Sequence, residues 1–444
     1  MYIKISAIAV AILQVSSFVQ AATSTKSAST ATASTLAKPQ DYWKNFKSLV
    51  DPLNITIEAI PQTTSNDPSV ECTYYQPPSN FKFNEKEWPT LWETATSNGM
   101  TNTAEFKALY NSIDWTKAPN IAVRKLNSDG SINMSGYDQS KDPDPKLEGV
   151  NEDIYTCPEP ETWGLTYDDG PNCSHNAFYD YLEAEKIKAS MFYIGSNVVN
   201  WPYGAQRGQK AGHHIADHTW SHQLMTTLTN TEVLAELYYT QKAIKMVTGV
   251  TPIHWRPAFG DVDDRVRWIA TQLGLTTILW NLDTDDWAAG TSETLDTVKK
   301  TYEDFVEMGS NGTFKNSGQI VLTHEIDNTT MTLAMEFLPK IRAAYKNVLD
   351  VATCMNITNP YHESTVTITA FNATGATSSS AAASSATAAA AAVSSAAAPS
   401  VSKAAAGAAS SVAAVVNNAS TSAGVQVGPN ALLMAAFAVA AYIF

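Results

Sequence analysis

His218-Thr-Trp-Ser-His222 places two imidazoles four residues apart. On a helical turn, side chains at i and i+4 share a face, so both rings could reach one metal ion. Pairs of this kind also arise by chance on surfaces. Metalloproteases that use this spacing carry a glutamate base directly after the first histidine, and here Thr219 stands in that place. A zinc protease is therefore disfavoured. A catalytic zinc site has three protein ligands and one position left for water or substrate. The segment Thr166-Tyr-Asp-Asp-Gly-Pro171 supplies two adjacent carboxylates, and Asp169 is the natural third ligand, with one aspartate binding metal while the other acts as base. In isolation Asp-Asp-Gly-Pro would read simply as a turn.

These residues need elements that bring them together. Residues 157 to 355 alternate short runs of large apolar and β-branched residues with longer helical stretches. The runs Trp163–Tyr167, Ser190–Ile194, His214–Ala216, Ile253–Arg256, Thr277–Leu282 and Gln319–Thr323 predict strands. Asn230–Val247, Asp263–Leu273, Ser292–Met308 and Met331–Tyr345 predict helices. Such alternation makes parallel βαβ units that close into a barrel or form an open sheet, whose strand C-termini share one rim. Asp168, Asp169, His218, His222, Arg256, Asp283 and His324 all fall at or just after strand ends, so the rim collects them.

Five segments, Thr166-Tyr-Asp-Asp-Gly-Pro171, His218-Thr-Trp-Ser-His222, Arg256-Pro-Ala-Phe-Gly260, Asp283-Thr-Asp-Asp-Trp287 and Ile320-Val-Leu-Thr-His324, follow one another in order. In order and spacing they resemble the polysaccharide deacetylases, also called NodB-homology or family 4 carbohydrate esterases, and among them the fungal GPI-anchored chitin deacetylases. The resemblance spans about 200 of the 444 residues. It implies an α/β fold, a distorted (β/α) barrel, that removes acetyl groups from N-acetylglucosamine units of chitin or chitin oligomers. It also implies one divalent ion, zinc or in its place cobalt, on Asp169, His218 and His222. Asp168 would be the general base, oriented by Arg256. His324 would be the general acid, its tautomer fixed by Asp283. The N–H of Phe259 would face the oxyanion, and Trp287 and Leu322 would wall the acetyl pocket. The chain departs from the family pattern at Phe259 for the usual tyrosine, Ala258 for a proline, Gln223 for a proline and His214 for a glutamate. His213 and His214 read as structural.

The rest of the chain sets the context. Net charge is −14, from 29 Lys+Arg and 43 Asp+Glu, without the basic cluster that nucleic acid requires. Charged residues are 16% of the whole against about 25% in ordinary domains. The deficit is local, because the 70 residues from Gly375 to Phe444 carry a single charge, Lys403. Residues 1–21 read as a signal peptide and 22–150 as an N-terminal accessory region, more an aromatic packing layer than a carbohydrate-binding module. Residues 151–360 read as the catalytic domain. Residues 374–422 read as a Ser/Ala/Thr-rich, disordered stalk, and 423–444 as a GPI signal removed on maturation, with Asn418 as the expected attachment residue. These features predict a monomer in the secretory pathway, anchored by GPI lipid at the plasma membrane and to cell-wall glucan, and also released. Four cysteines fit two disulfides with three possible connectivities; the preferred one joins Cys157 with Cys354 across the repeating region and leaves Cys72 with Cys173. Sequons stand at Asn54, Asn133, Asn172, Asn311, Asn328, Asn356, Asn372 and Asn418.

Overall fold

The computed structural model describes residues 42–46, 84–135, 150–172 and 175–371, all within one compact unit. The signal peptide, stalk and anchor signal lie outside the described residues, as do Cys72, Cys173, Asn54, Asn372 and Asn418.

Among the described residues, eight parallel strands form one sheet: β1 (Thr162–Gly170), β2 (Ser190–Tyr193), β3 (His214–Asp217), β4 (His254–Trp255), β5 (Thr276–Thr277), β6 (Leu282–Asp283), β7 (Gln319–Leu322) and β8 (Asn347–Leu349). Their order is β5-β4-β3-β2-β1-β7-β6, and β8 also pairs with β1. The two outermost strands of that order are separated by only residues 278–281. A chain that short spans at most about 18 Å, so the sheet must curl until its ends meet. The expected single strand Thr277–Leu282 is thus two strands. The chain pairs with β4 through Thr277 and with β7 from Leu282, and between them Leu279 N–H donates to the Ile154 carbonyl at 2.8 Å.

Alternation along the strands sorts side chains into two layers. Trp163, Leu165 and Tyr167 of β1, Met191 and Tyr193 of β2 and Ile215 of β3 pack outward under the helices. Phe192, Ala216, Ile278 and Ile320 pack inward with Cys157 and Cys354, which form the expected disulfide. Thr166 and Asp168 point the same inward way, since one guanidinium, that of Arg256, reaches both.

The four expected helices are present, as Asn230–Thr248, Asp264–Gln272, Leu295–Ser310 and Asn328–Ala344. Asn230–Thr248 starts on a capping box of Thr229 and Glu232 and stops at Gly249, whose φ of 85° few other residues tolerate. The short helices Asn176–Ala184, Gly195–Asn200 and Pro202–Lys210 were not evident from periodicity. In the N-terminal region Trp88 is buried, stacked on Trp220 with ring centroids 5.8 Å apart. Trp115 packs on Trp268, and Trp43 stacks on His362. Asn133, Asn311 and Asn356 are exposed, whereas Asn172 and Asn328 are half-buried.

Candidate metal centre and active site

Adjacent residues in a regular strand point to opposite faces. Asp168 and Asp169 escape this rule because the β1–β2 register shifts between Asp168 and Gly170 and Asp169 has a φ of 74°. The irregularity turns both carboxylates toward the rim. The histidines do not lie on a helical turn as expected. Residues 218–224 form an irregular loop in which Thr219 (φ 64°) and His222 (φ 54°) are left-handed. Side-chain carboxylates hold this loop in place of helical hydrogen bonds. Thr219 N–H donates to Asp217 Oδ1 at 2.8 Å, and the N–H groups of Trp220 and Ser221 donate to Glu236 Oε2 at 2.9 and 2.8 Å. The rings end 5.1 Å apart.

Asp169 Oδ1 lies 3.4 Å from His218 Nε2 and 3.2 Å from His222 Nε2. One ligand atom from each residue falls within 4.8 Å of the others. This donor set fits a divalent cation. Asp169 Oδ1 is buried and satisfied by no hydrogen bond, the condition a cation would relieve. His218 also has the outer support typical of a metal-binding imidazole, with Nδ1 hydrogen-bonded to the Arg256 carbonyl at 2.8 Å, which presents Nε2 to the centre. Burial opposes the Asp169 charge, but His222 and His218 hold the carboxyl well below the usual range. Burial pushes His222 down to about 4, so its ring is neutral and able to ligate.

Asp168 is buried beside this cluster. Its Oδ1 accepts from Arg256 Nη1 at 2.7 Å, and its Oδ2 lies 3.7 Å from His218 Nε2. Arg256 is fully buried and pinned on every side. Nε donates to the Ile278 carbonyl, Nη2 to that of Leu279 and Nη1 also to Thr166 Oγ1, while Phe192 lies 4.0 Å beneath. Its aim at Asp168 is therefore fixed by the barrel interior.

His324 follows β7 next to Asp168, whose carbonyl accepts from Glu325 N–H at 2.9 Å. The carboxylate that holds it is Asp286, not Asp283. Asp286 Oδ1 meets His324 Nδ1 at 2.6 Å, and Oδ2 accepts from its backbone N–H at 2.8 Å. Asp283 instead accepts from Asp285 N–H at 2.9 Å and adds its charge to the field at Arg256. The chain turns sharply between them, with Asp285 at a φ of 56°, which carries Asp286 back over His324. Burial alone would lower the His324 pKa, but Asp286, with Asp169 and Asp168 behind it, raises it to about 10. The ring is an imidazolium at neutral pH.

Phe259 occupies a left-handed turn (φ 58°), 4.4 Å from the His222 ring. The turn's own hydrogen bonds come from Gly260 and Asp261, leaving Phe259 N–H out of them. Trp287 is half-buried directly after Asp286, and Leu322 is buried at the end of β7, two residues before His324. His213 and His214 are buried away from the rim in hydrogen bonds with Ala189 N–H and Ser190 Oγ. Sequence reasoning missed Asp217 and Glu236, which shape the histidine loop. Glu236 stands out as the one carboxylate in the run Leu234-Ala235-Glu236-Leu237, and that interruption was the available signal.

The chain is similar to proteins of one known family. The polysaccharide deacetylase family matches residues 156–278. A chitin deacetylase of Amylomyces rouxii is 59% identical over 378 residues, covering 83% of this chain and 89% of the relative. Chitin deacetylase 2 of Cryptococcus neoformans var. grubii is 46% identical over 322 residues, covering 69% and 70%. Among solved structures, the chitin deacetylase of Colletotrichum lindemuthianum aligns with a TM-score of 0.44 at 24% identity, over 48% of this chain and 96% of that one. The chain belongs to the polysaccharide deacetylase family.

Proposed function

We propose that the protein is a metal-dependent chitin deacetylase, hydrolysing N-acetyl groups of N-acetylglucosamine units to give glucosamine units and acetate. Its relatives' activity supports the substrate. The chemistry rests on one observation: the metal-binding cluster shares its rim with an arginine-anchored carboxylate and an aspartate-anchored imidazolium. A divalent ion on Asp169, His218 and His222, zinc in this reading with cobalt also compatible, would acidify water and polarise the acetamide carbonyl. Asp168 accepts the proton of the attacking water. Arg256 occupies its Oδ1 and leaves Oδ2 toward the cluster. Phe259 N–H donates to the oxygen on which negative charge develops. His324, its Nδ1 engaged by Asp286, donates from Nε2 to the leaving amine, without which the C–N bond would not break at a useful rate. Trp287 and Leu322 bound the space for the acetyl methyl group.

The chain enters the secretory pathway, carries a GPI anchor that holds it at the plasma membrane and wall, and acts as a monomer. Release from membranes by GPI-specific phospholipase C tests the anchor; retention after treatment would point to a spanning tail. For the activity, the test is acetate release from chitin oligomers, acetylated xylan and peptidoglycan. Acetate from chitin supports the reading, and acetate from either other glycan alone replaces it with a different reaction of the family.

A further inference from the structure

Among the N-terminal tryptophans, Trp92 stands apart. Trp88 is buried at 1% exposure, whereas Trp92 is 43% exposed. Exposure here does not mean looseness. Its backbone N–H donates to Ser196 Oγ and its Nε1–H to Asn197 Oδ1, both at 2.9 Å. Its φ of 60° is one that a bulky side chain rarely adopts, so the fold accepts strain to set the ring at this place and angle.

What it is tied to gives the ring its meaning. Asn197 Nδ2 donates to the backbone carbonyl of Asp169 at 2.9 Å, and Ser196 Oγ donates to the carbonyl of Trp220, inside the loop that carries His218 and His222. Two hydrogen bonds therefore separate the exposed indole from a metal-ligand residue. Trp201 lies beside it, with ring centroids 6.1 Å apart and planes at 47°. A fixed, solvent-facing aromatic surface offers a π face to the apolar C–H face of a pyranose ring. Trp92 also precedes residue 156, where the family match begins, so this surface is brought to the rim by the N-terminal segment.

We propose that Trp92, flanked by Trp201, is a sugar-stacking subsite that takes a chitin unit neighbouring the one being deacetylated. The assignment rests on the chitin reading above. Trp92 contributes to grip and chain-length preference and leaves the chemical step alone. Three proteins separate the possibilities: wild type, W92A and W92F, each with metal content checked. Oligomer binding is measured by calorimetry and acetate release on oligomers of defined length. For W92A we expect KM and the calorimetric Kd to rise about three- to tenfold on longer oligomers and least on dimers, with kcat and metal content unchanged. W92F, which keeps a ring but loses the indole N–H, should stay near wild type. Equal binding by W92A and wild type at every length overturns the subsite. So does a W92F defect as large as that of W92A with falling kcat or metal, which would make Trp92 a positioning residue acting through Asn197. A wild type that binds oligomers but releases no acetate would sink the chitin reading, while calorimetry would still decide the role of Trp92. Absence of oligomer binding by wild type overturns both.

Discussion

Strand β3 carries histidines at both of its ends, and the two ends of the barrel treat them differently. At the N-terminal end, His214 is hydrogen-bonded through Nδ1 to Ser190 Oγ at 2.8 Å and through Nε2 to His254 at 3.1 Å. Ser190 Oγ in turn accepts from Val351 N–H. Burial pushes His214 well below its ordinary pKa and His254 down to about 4, so this end holds neutral rings that satisfy each other. At the C-terminal end, His218 and His222 converge on an Asp169 oxygen that makes no hydrogen bond. The residue type is the same, but one end is finished by the protein's own groups and the other presents a donor set that fits a cation. Proximity of histidines therefore does not define a metal site. A carboxylate oxygen gathered with both rings, Asp169 Oδ1, marks the candidate centre.

Mutations at the two ends should separate that difference, and the largest effect belongs to the rim. His218→Ala should abolish metal binding and lower kcat by about 10³-fold or more, since a bound cation contributes several kcal/mol of transition-state stabilisation; elemental analysis and acetate release check both. Asp168→Asn should keep the metal and lose about 10²-fold or more in rate, the contribution of a general base. Metal loss in that variant would mean that the two aspartates have exchanged roles. Asp286→Asn acts on the acid. The carboxylate raises the His324 pKa to about 10, so removing it lowers that pKa and moves the alkaline limb of the pH–rate profile downward. At an ordinary histidine pKa of about 6.5, roughly 3% of the ring is protonated at pH 8, so the rate there should fall about thirtyfold. An unchanged limb would remove His324 as the acid. At the barrel base, His214→Ala should leave metal content and kcat intact and reduce unfolding free energy by about 1–3 kcal/mol through unpaired buried partners. Denaturant unfolding measures this.

Much of the barrel was legible because β-branched, apolar runs are what a sheet covered on both faces demands. The five motif segments also located the rim. Periodicity is silent where backbone geometry departs from regular repeats. A helical turn was the natural expectation for His218 and His222, yet two left-handed residues and the Glu236 carboxylate bring the rings together. Thr277–Leu282 reads as one strand by composition, and only the closure of the sheet divides it. For His324 the motif points to the right segment but not to the carboxylate, since four residues offer Asp283, Asp285 and Asp286, and the left-handed turn at Asp285 brings Asp286 to the ring. Trp92 was one of several tryptophans until exposure and its tie to Asn197 distinguished it.

In this reading, deacetylation depends on one cation held at the rim by Asp169, His218 and His222. The most direct test is acetate release from chitin oligomers by the full-length protein after chelation and stepwise return of zinc, with bound metal counted in parallel. Activity should disappear on chelation and return in proportion to one ion bound per chain, with neither metal nor activity recovered in Asp169→Ala. Full acetate release by the metal-free protein, or metal binding undiminished in Asp169→Ala, would contradict it.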